Sequence, residues 1–229
     1  MATALPHDAK APPLTQFLRE AGALMELHWK SLLPPRFEKA VSNGHPVMVF
    51  PGFLASDHST TVLRRALEAA GYEVHGWGLG TNWGAREDLL ERMEAQLERV
   101  AAAQPASLIG WSLGGLYARE LAKRRPEKVA RVITLGSPFS GDLRANNAWR
   151  LYELVNDHKV DRPPLEVRLS EKPPVPTIAL WSAGDGIVAP ACARGEAHEC
   201  DRAIEVHCTH MGFATSPCVV EAVLEVLAD

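Results

Sequence analysis

Apolar residues along this chain are arranged in two ways that take turns. Short continuous runs at Pro46 to Phe50, Ala106 to Ile109, Ala130 to Leu135 and Val175 to Ser182 have the length and composition of strands covered on both faces. Tyr72 to Gly76 and a weaker segment, Ala203 to His207, complete the strand set. Between these runs the apolar positions recur at three- and four-residue steps. Arg86 to Ala103 carries Leu89, Leu90, Met93, Leu97 and Val100 along one side. Thr60 to Ala70, Leu113 to Arg125 before Pro126, and Cys218 to Leu227 also read as helices. Strand and helix in alternation predict an α/β fold, a mostly parallel sheet covered by helices on both faces.

Two segments stand outside that alternation. Residues 1–45 join an arm bearing Pro6, Pro12 and Pro13 to an amphipathic helix with Leu14, Phe17, Leu18, Ala21, Leu24, Met25, His28 and Leu32 on its apolar side. Pro34 and Pro35 stop it. Its polar face offers only Arg19 and Lys30 as cations, which favours packing against the protein body. Contact with a membrane or lipid interface stays open as the alternative. Residues 46–229 form the α/β domain, and within it 139–174 reads as a short lid-like insertion. There Ala148, Trp149, Leu151, Tyr152 and Val155 give Arg144 to Asp157 an apolar helix face, followed by Arg162-Pro163-Pro164 and Lys172-Pro173-Pro174. An ordinary covering helix is the other reading of this insertion.

Composition removes some functional classes. With 229 residues, a net charge of -4 and 46% hydrophobic residues, the chain has no basic excess to recruit nucleic acid. No apolar run approaches the ~20 residues that cross a bilayer. The opening Met-Ala-Thr-Ala-Leu-Pro-His-Asp-Ala-Lys lacks the order of a secretory signal, so a cytoplasmic location is expected. Cys192, Cys200, Cys208 and Cys218 are then expected as thiols buried like small hydrophobes. His198, His207 and His210 interleave with them, yet no closely spaced cysteine pair is present and no metal site is expected. The glycine-dense run from Gly76 to Gly84 does not match the spacing of a dinucleotide loop. It reads as a strand-end loop whose Trp77 and Trp83 either border a substrate mouth or fill the core.

The chemistry is concentrated at Gly110-Trp111-Ser112-Leu113-Gly114-Gly115. An apolar strand that turns abruptly into a helix forces its turn residue into a strained conformation and lifts that side chain clear of the sheet edge. Ser112 is that residue; a glycine-rich surface turn would lack the flanking strand and helix. A serine hydroxyl is a poor nucleophile alone and needs a base, with a third group to orient the base. His210 follows the last strand at the expected sheet edge, with His58 and His207 as competitors. Asp185 sits between two glycines just past a strand end, where a plain Asp-Gly turn is the bland reading. The backbone N–H groups of Leu113 and Phe53 are the candidates to hold an oxyanion, with Leu54 in reserve.

Taken together, Pro51-Gly52-Phe53, Gly110-Trp111-Ser112-Leu113-Gly114, Asp185-Gly186-Ile187-Val188 and Thr209-His210-Met211-Gly212 resemble the α/β-hydrolase superfamily, in particular its bacterial lipase-like and esterase-like members. The resemblance runs from about Pro46 to the C-terminus, although many relatives carry His-Gly where this chain has Pro51-Gly52. It implies hydrolysis of a small-molecule carboxylic ester or acyl substrate through an acyl-enzyme, with Ser112, Asp185 and His210 as the triad. No metal or organic cofactor is implied. Leu54, Trp77, Trp83, Trp111 and Trp149 are candidates to touch the substrate. The same triad serves thioester hydrolysis or acyl transfer, and a non-catalytic binding protein on this scaffold is a further alternative.

Overall fold

Six strands form one parallel sheet in the order β2-β1-β3-β4-β5-β6. They are β1 (Pro46–Phe50), β2 (Glu73–Gly76), β3 (Ala106–Trp111), β4 (Val129–Leu135), β5 (Thr177–Trp181) and β6 (Arg202–Glu205). The helices are α1 (Thr61–Ala69), α2 (Leu89–Val100), α3 (Leu113–Arg124), α4 (Trp149–Val155), α5 (Pro190–Arg194) and α6 (Pro217–Ala228). The structure, a computed structural model, describes residues 6–20, 22, 42–142, 144–156 and 168–229.

The side-chain period of two divides each inner strand between two cores. Val47 and Val49 of β1 and Ile109 and Trp111 of β3 join Leu63 and Leu67 of α1 and Val219 and Val223 of α6. On the other face, Met48, Phe50 and Leu108 meet Leu90, Met93 and Leu97 of α2 and Tyr117 and Leu121 of α3. Covering both faces is why β1 and β3 read as unbroken apolar runs. Each such side chain fully removed from water contributes roughly 1.5–3 kcal/mol. The edge strands look different for the same reason: β2 and β6 pair on one side only and are largely wet.

Two elements start later than the sequence pattern predicts. The helix expected from Arg86 starts at Leu89: a turn precedes it, in which Leu89 N–H donates to the Arg86 carbonyl (3.1 Å), and the Ala85 N–H donates to the Tyr152 hydroxyl (3.3 Å). The β5 strand expected from Val175 pairs only from Thr177, since Pro176 has no N–H to give the ladder. In the N-terminal segment, residues 14–20 and 22 are helical. The continuation of that helix toward Leu32, with Lys30, lies outside the described residues, as do Asp157 and Arg162-Pro163-Pro164. Among the described residues no helix is long and apolar enough to cross a membrane.

Strand order reverses between β1 and β3, because the chain leaves β1 for β2 on one side and returns to β3 on the other. A crevice opens at the carboxyl ends of two such strands, where the following loops run in opposite directions. Pro51-Gly52-Phe53 follows β1 and Ser112 follows β3, so both candidate stretches meet at that point.

Candidate active site

Ser112 sits between β3 and α3 with φ 55° and ψ -122°. Among the described residues, Leu54 (φ 59°) is the other non-glycine residue with positive φ. Strain of this kind costs on the order of 1–3 kcal/mol and persists only where surrounding structure enforces it. Here strand and helix cross too closely for side chains at the flanking positions. A Cβ on Gly110 would lie 2.3 Å from the Gly115 Cα, and one on Gly114 would lie 2.5 Å from the Phe50 carbonyl oxygen. The turn is closed by Ser112 N–H donating to the Leu135 carbonyl (2.9 Å) and Gly115 N–H donating to the Ser112 carbonyl (3.0 Å).

Asp185 and His210 are brought together by the turns after β5 and β6. His210 Nδ1 lies 2.8 Å from Asp185 Oδ2, with the two side chains 2% and 1% exposed. The second carboxylate oxygen, Oδ1, accepts the N–H groups of Ile187 and Val188, each at 2.8 Å. That fixes the carboxylate plane, and an Nδ1 proton aimed at Oδ2 leaves Nε2 as the free acceptor. Trp111 joins this assembly to β3: its indole N–H donates to the His210 carbonyl (3.0 Å), and the two rings are 5.9 Å apart. Among the described residues Ser112 and His210 are not hydrogen-bonded to one another. In hydrolases without substrate this contact is commonly long and tightens in the complex. The competing histidines, His58 and His207, are exposed.

The loop after β1 lies against the Ser112 turn. A Cβ on Gly52 would stand 3.3 Å from the Ser112 Cβ, so the chain passes with little room to spare. Among the described residues neither Phe53 N–H nor Leu113 N–H donates within the protein, whereas Leu54 N–H donates to the Asn82 carbonyl at 2.7 Å. Two free donors beside Ser112 are what an oxyanion requires, and the reserve candidate is already occupied. Asn82, within the glycine-dense run from Gly76 to Gly84, braces this stretch. Fully buried, it donates Nδ2–H to the Pro51 carbonyl (2.9 Å) and its own N–H to the Ala55 carbonyl (2.8 Å). Its Oδ1 accepts from Gly84 N–H (3.2 Å) and the Tyr117 hydroxyl (3.4 Å). Burial pushes the Tyr117 phenol well up, which keeps it a neutral donor. The only available signal was an amide residue among turn glycines.

Ser112 opens onto a cleft lined mainly by Phe53, Leu113, Leu116, Trp149, Tyr152 and Ile187. Its walls are mostly apolar, as the walls of small-molecule sites usually are. The one acidic lining residue among those described, Glu120, is paired with Lys123, and burial pushes its carboxyl up. Of the five residues expected to touch substrate, Trp149 borders the cleft and the other four do not. Trp77 is 2% exposed in the core, with its indole N–H on the Gly80 carbonyl (2.8 Å). Trp83 and Leu54 are exposed away from the cleft wall, and Trp111 lies behind it against His210.

All four cysteines are free thiols, and among the described residues no group of His, Cys, Asp or Glu is arranged to hold a metal ion. Burial pushes the Cys192 thiol up to about 11, and raises those of Cys200 and Cys208 as well. Thiolate is the reactive form, so these three should resist iodoacetamide at neutral pH in the folded protein and react after denaturation. Mass spectrometry of the alkylated peptides checks this; modification of Cys192 before unfolding would contradict it.

The fold and these motifs have relatives. The biotin biosynthesis bifunctional protein BioHC of Teredinibacter turnerae is 50% identical over 60 residues, covering 26% of this chain and 10% of that protein. The pimeloyl-[acyl-carrier protein] methyl ester esterase of Aromatoleum aromaticum is 33% identical, covering 33% of this chain and 40% of its own length. The matches thus span between a tenth and two fifths of these curated relatives. Carboxylesterase CesB (YbfK) from Bacillus subtilis superposes with a TM-score of 0.60 at 13% identity, covering 93% of this chain and 98% of that one. At that identity the likeness is one of fold, the α/β-hydrolase fold. The family model for palmitoyl protein thioesterase matches residues 46–166, more than half of the chain and inclusive of both the Pro51-Gly52-Phe53 loop and the Ser112 turn; the chain therefore belongs to the palmitoyl protein thioesterase family.

Proposed function

We propose that this chain is a serine hydrolase that cleaves carboxylic esters with an apolar acyl portion through an acyl-enzyme. The observation that carries the reading is the buried Asp185–His210 pair (2.8 Å) on the same sheet edge as a strained serine at the mouth of an apolar cleft. In this reading Ser112 Oγ attacks the ester carbonyl while His210 Nε2 takes its proton. Asp185 holds the tautomer and stabilises the imidazolium. The N–H groups of Phe53 and Leu113 receive the charge that develops on the former carbonyl oxygen, the second aided by the N-terminus of α3. His210 returns the proton to the leaving alcohol, and water, activated by the same imidazole, then clears the acyl group from Ser112.

Hydrolysis of thioesters by the same groups is the second reading, favoured by the family to which the chain belongs. The chemistry of attack is shared; the leaving group differs. The lining of the cleft, with Glu120 paired to Lys123 and the rest mostly hydrocarbon and aromatic, supports an uncharged acyl chain in either case. Steady-state kinetics on matched p-nitrophenyl esters and acyl-N-acetylcysteamine thioesters, acetyl through palmitoyl, test both readings. The expected result is turnover that rises with acyl length until the cleft is full, and in Trp149→Ala an optimum displaced to a longer chain. No turnover of any ester or thioester, with no fluorophosphonate adduct on Ser112, would overturn the proposal.

A further inference from the structure

The N-terminal helical segment delivers a carboxylate that the steps above do not use. Glu20 is 3% exposed, an unusual state for a glutamate without a cation. Among the described residues its partners are three backbone N–H groups. Oε1 accepts from Gly186 (2.9 Å) and from His210 (2.8 Å), and Oε2 accepts from Met211 (3.0 Å). Gly186 directly follows Asp185, so one carboxylate is bonded at once to the turn that carries the acid and to the turn that carries the base.

Two further contacts show that the fit is built. A Cβ on Gly186 would lie 2.4 Å from the Gln16 carbonyl oxygen and 2.9 Å from the Phe17 nitrogen, so the helix backbone rests directly on the acid turn. Asn147 Nδ2–H donates to both the Gly186 carbonyl (2.8 Å) and the Pro12 carbonyl (3.1 Å), tying the same turn to the arm that precedes the helix. The Ser182 hydroxyl joins the two loops nearer their strands, donating to the Cys208 carbonyl (2.6 Å) and accepting the Cys208 N–H (3.2 Å), and at the level of residues 186 and 210 the described links are Glu20 and the Asp185–His210 pair. Their turns leave β5 and β6 separately, and the spacing of imidazole and carboxylate depends on what spans the two loops. Hydrogen bonds from backbone N–H to a charged acceptor are roughly twice as strong as neutral ones, so a carboxylate is a suitable bridge.

We propose that Glu20 is a positioning residue: its carboxylate holds the Asp185 and His210 turns at hydrogen-bond separation, which makes the N-terminal helix a working part of the site. The proposal rests on the assignment of Asp185 and His210 made under the proposed function. Glu20→Ala removes all three bonds. Glu20→Gln keeps the oxygen that serves Gly186 and His210 but sets an amide N–H2 against the Met211 N–H. The expected order of kcat is therefore wild type, then Glu20→Gln, then Glu20→Ala, the last reduced by about 10²-fold with KM nearly unchanged.

A readout independent of turnover accompanies the kinetics. In protein labelled with ¹⁵N-histidine, the low-field Nδ1 proton of His210, assigned by its loss in Asp185→Asn, should be present in wild type. It should move upfield or exchange away in folded Glu20→Ala. A residue that only stabilised the fold would lower the melting temperature and leave both the resonance and kcat below that temperature unchanged; that result overturns the proposal. Should Glu20→Ala not fold, the near-isosteric Glu20→Gln decides: a reduced kcat with a perturbed resonance supports the clamp, and wild-type values overturn it. A wild-type chain that hydrolyses nothing, with the resonance still dependent on Glu20, would defeat the hydrolase reading and leave the clamp standing.

Discussion

Replacing Ser112 with alanine is expected to lower kcat on the best p-nitrophenyl ester by about 10⁴-fold or more, with binding little affected. Nothing else in the cleft offers a comparable nucleophile. The cleft wall contributes no second serine, threonine or cysteine hydroxyl or thiol among the described lining residues. The alanine keeps a Cβ at the strained position, and the close crossing of strand and helix at Gly110 and Gly114 is untouched. The variant should therefore fold with near-native stability and lose the covalent step alone. Labelling with a fluorophosphonate should mark Ser112 in the wild-type chain and fail in the variant. Near-full turnover by Ser112→Ala would move the nucleophile elsewhere and dismantle the mechanism.

Asp185→Asn is expected to cost about 10⁴-fold in kcat with Ser112 still in place. The size of the effect follows from how the carboxylate is held. Its Oδ1 accepts two N–H groups, from Ile187 and Val188, and an amide N–H2 cannot face two donors. The asparagine must keep its oxygen there and turn its N–H2 toward His210 Nδ1. That nitrogen then becomes the acceptor, the ring proton moves to Nε2, and the atom that should take the serine proton already holds one. This variant also separates function from local geometry, because asparagine is nearly as good a turn residue as aspartate. If Asp185 served only its turn, Asp185→Asn would keep most of the wild-type kcat.

The two experiments probe different layers of the sequence signal. The strained turn at Ser112 was legible because it leaves a steric footprint: glycines at 110, 114 and 115 are needed wherever a strand and helix cross this closely, and they are near neighbours in sequence. Asp185 and His210 were legible by position, each just past a strand. The hydrogen bond between them joins residues 25 positions apart on separate loops. The tryptophans were read less well. Apolar aromatic residues in a strand-end loop fit a core and a cleft equally, and Trp77 went to the core while Trp149 went to the cleft wall.

Asn82 and Glu20 were not legible at all. Each satisfies backbone groups on segments remote in sequence, and a polar residue gives no periodic or spacing signal of such a task. Glu20 occupies a helix whose polar face looked ordinary, and its partners lie 166 to 191 positions further on.

By itself the sequence determined the alternation of buried strands and helices, and with it the parallel sheet, because hydrophobic period and run length are local consequences of which faces are covered. It also determined the elbow at Ser112, whose glycines act on their immediate neighbours. The tertiary structure alone decided which aromatic side chains border the cleft, which backbone donors stay free beside Ser112 among the described residues, and which buried carboxylate ties the Asp185 and His210 turns together. Those outcomes depend on contacts between segments far apart along the chain, and hydrogen bonds of that range are fixed by packing rather than by any pattern within one segment.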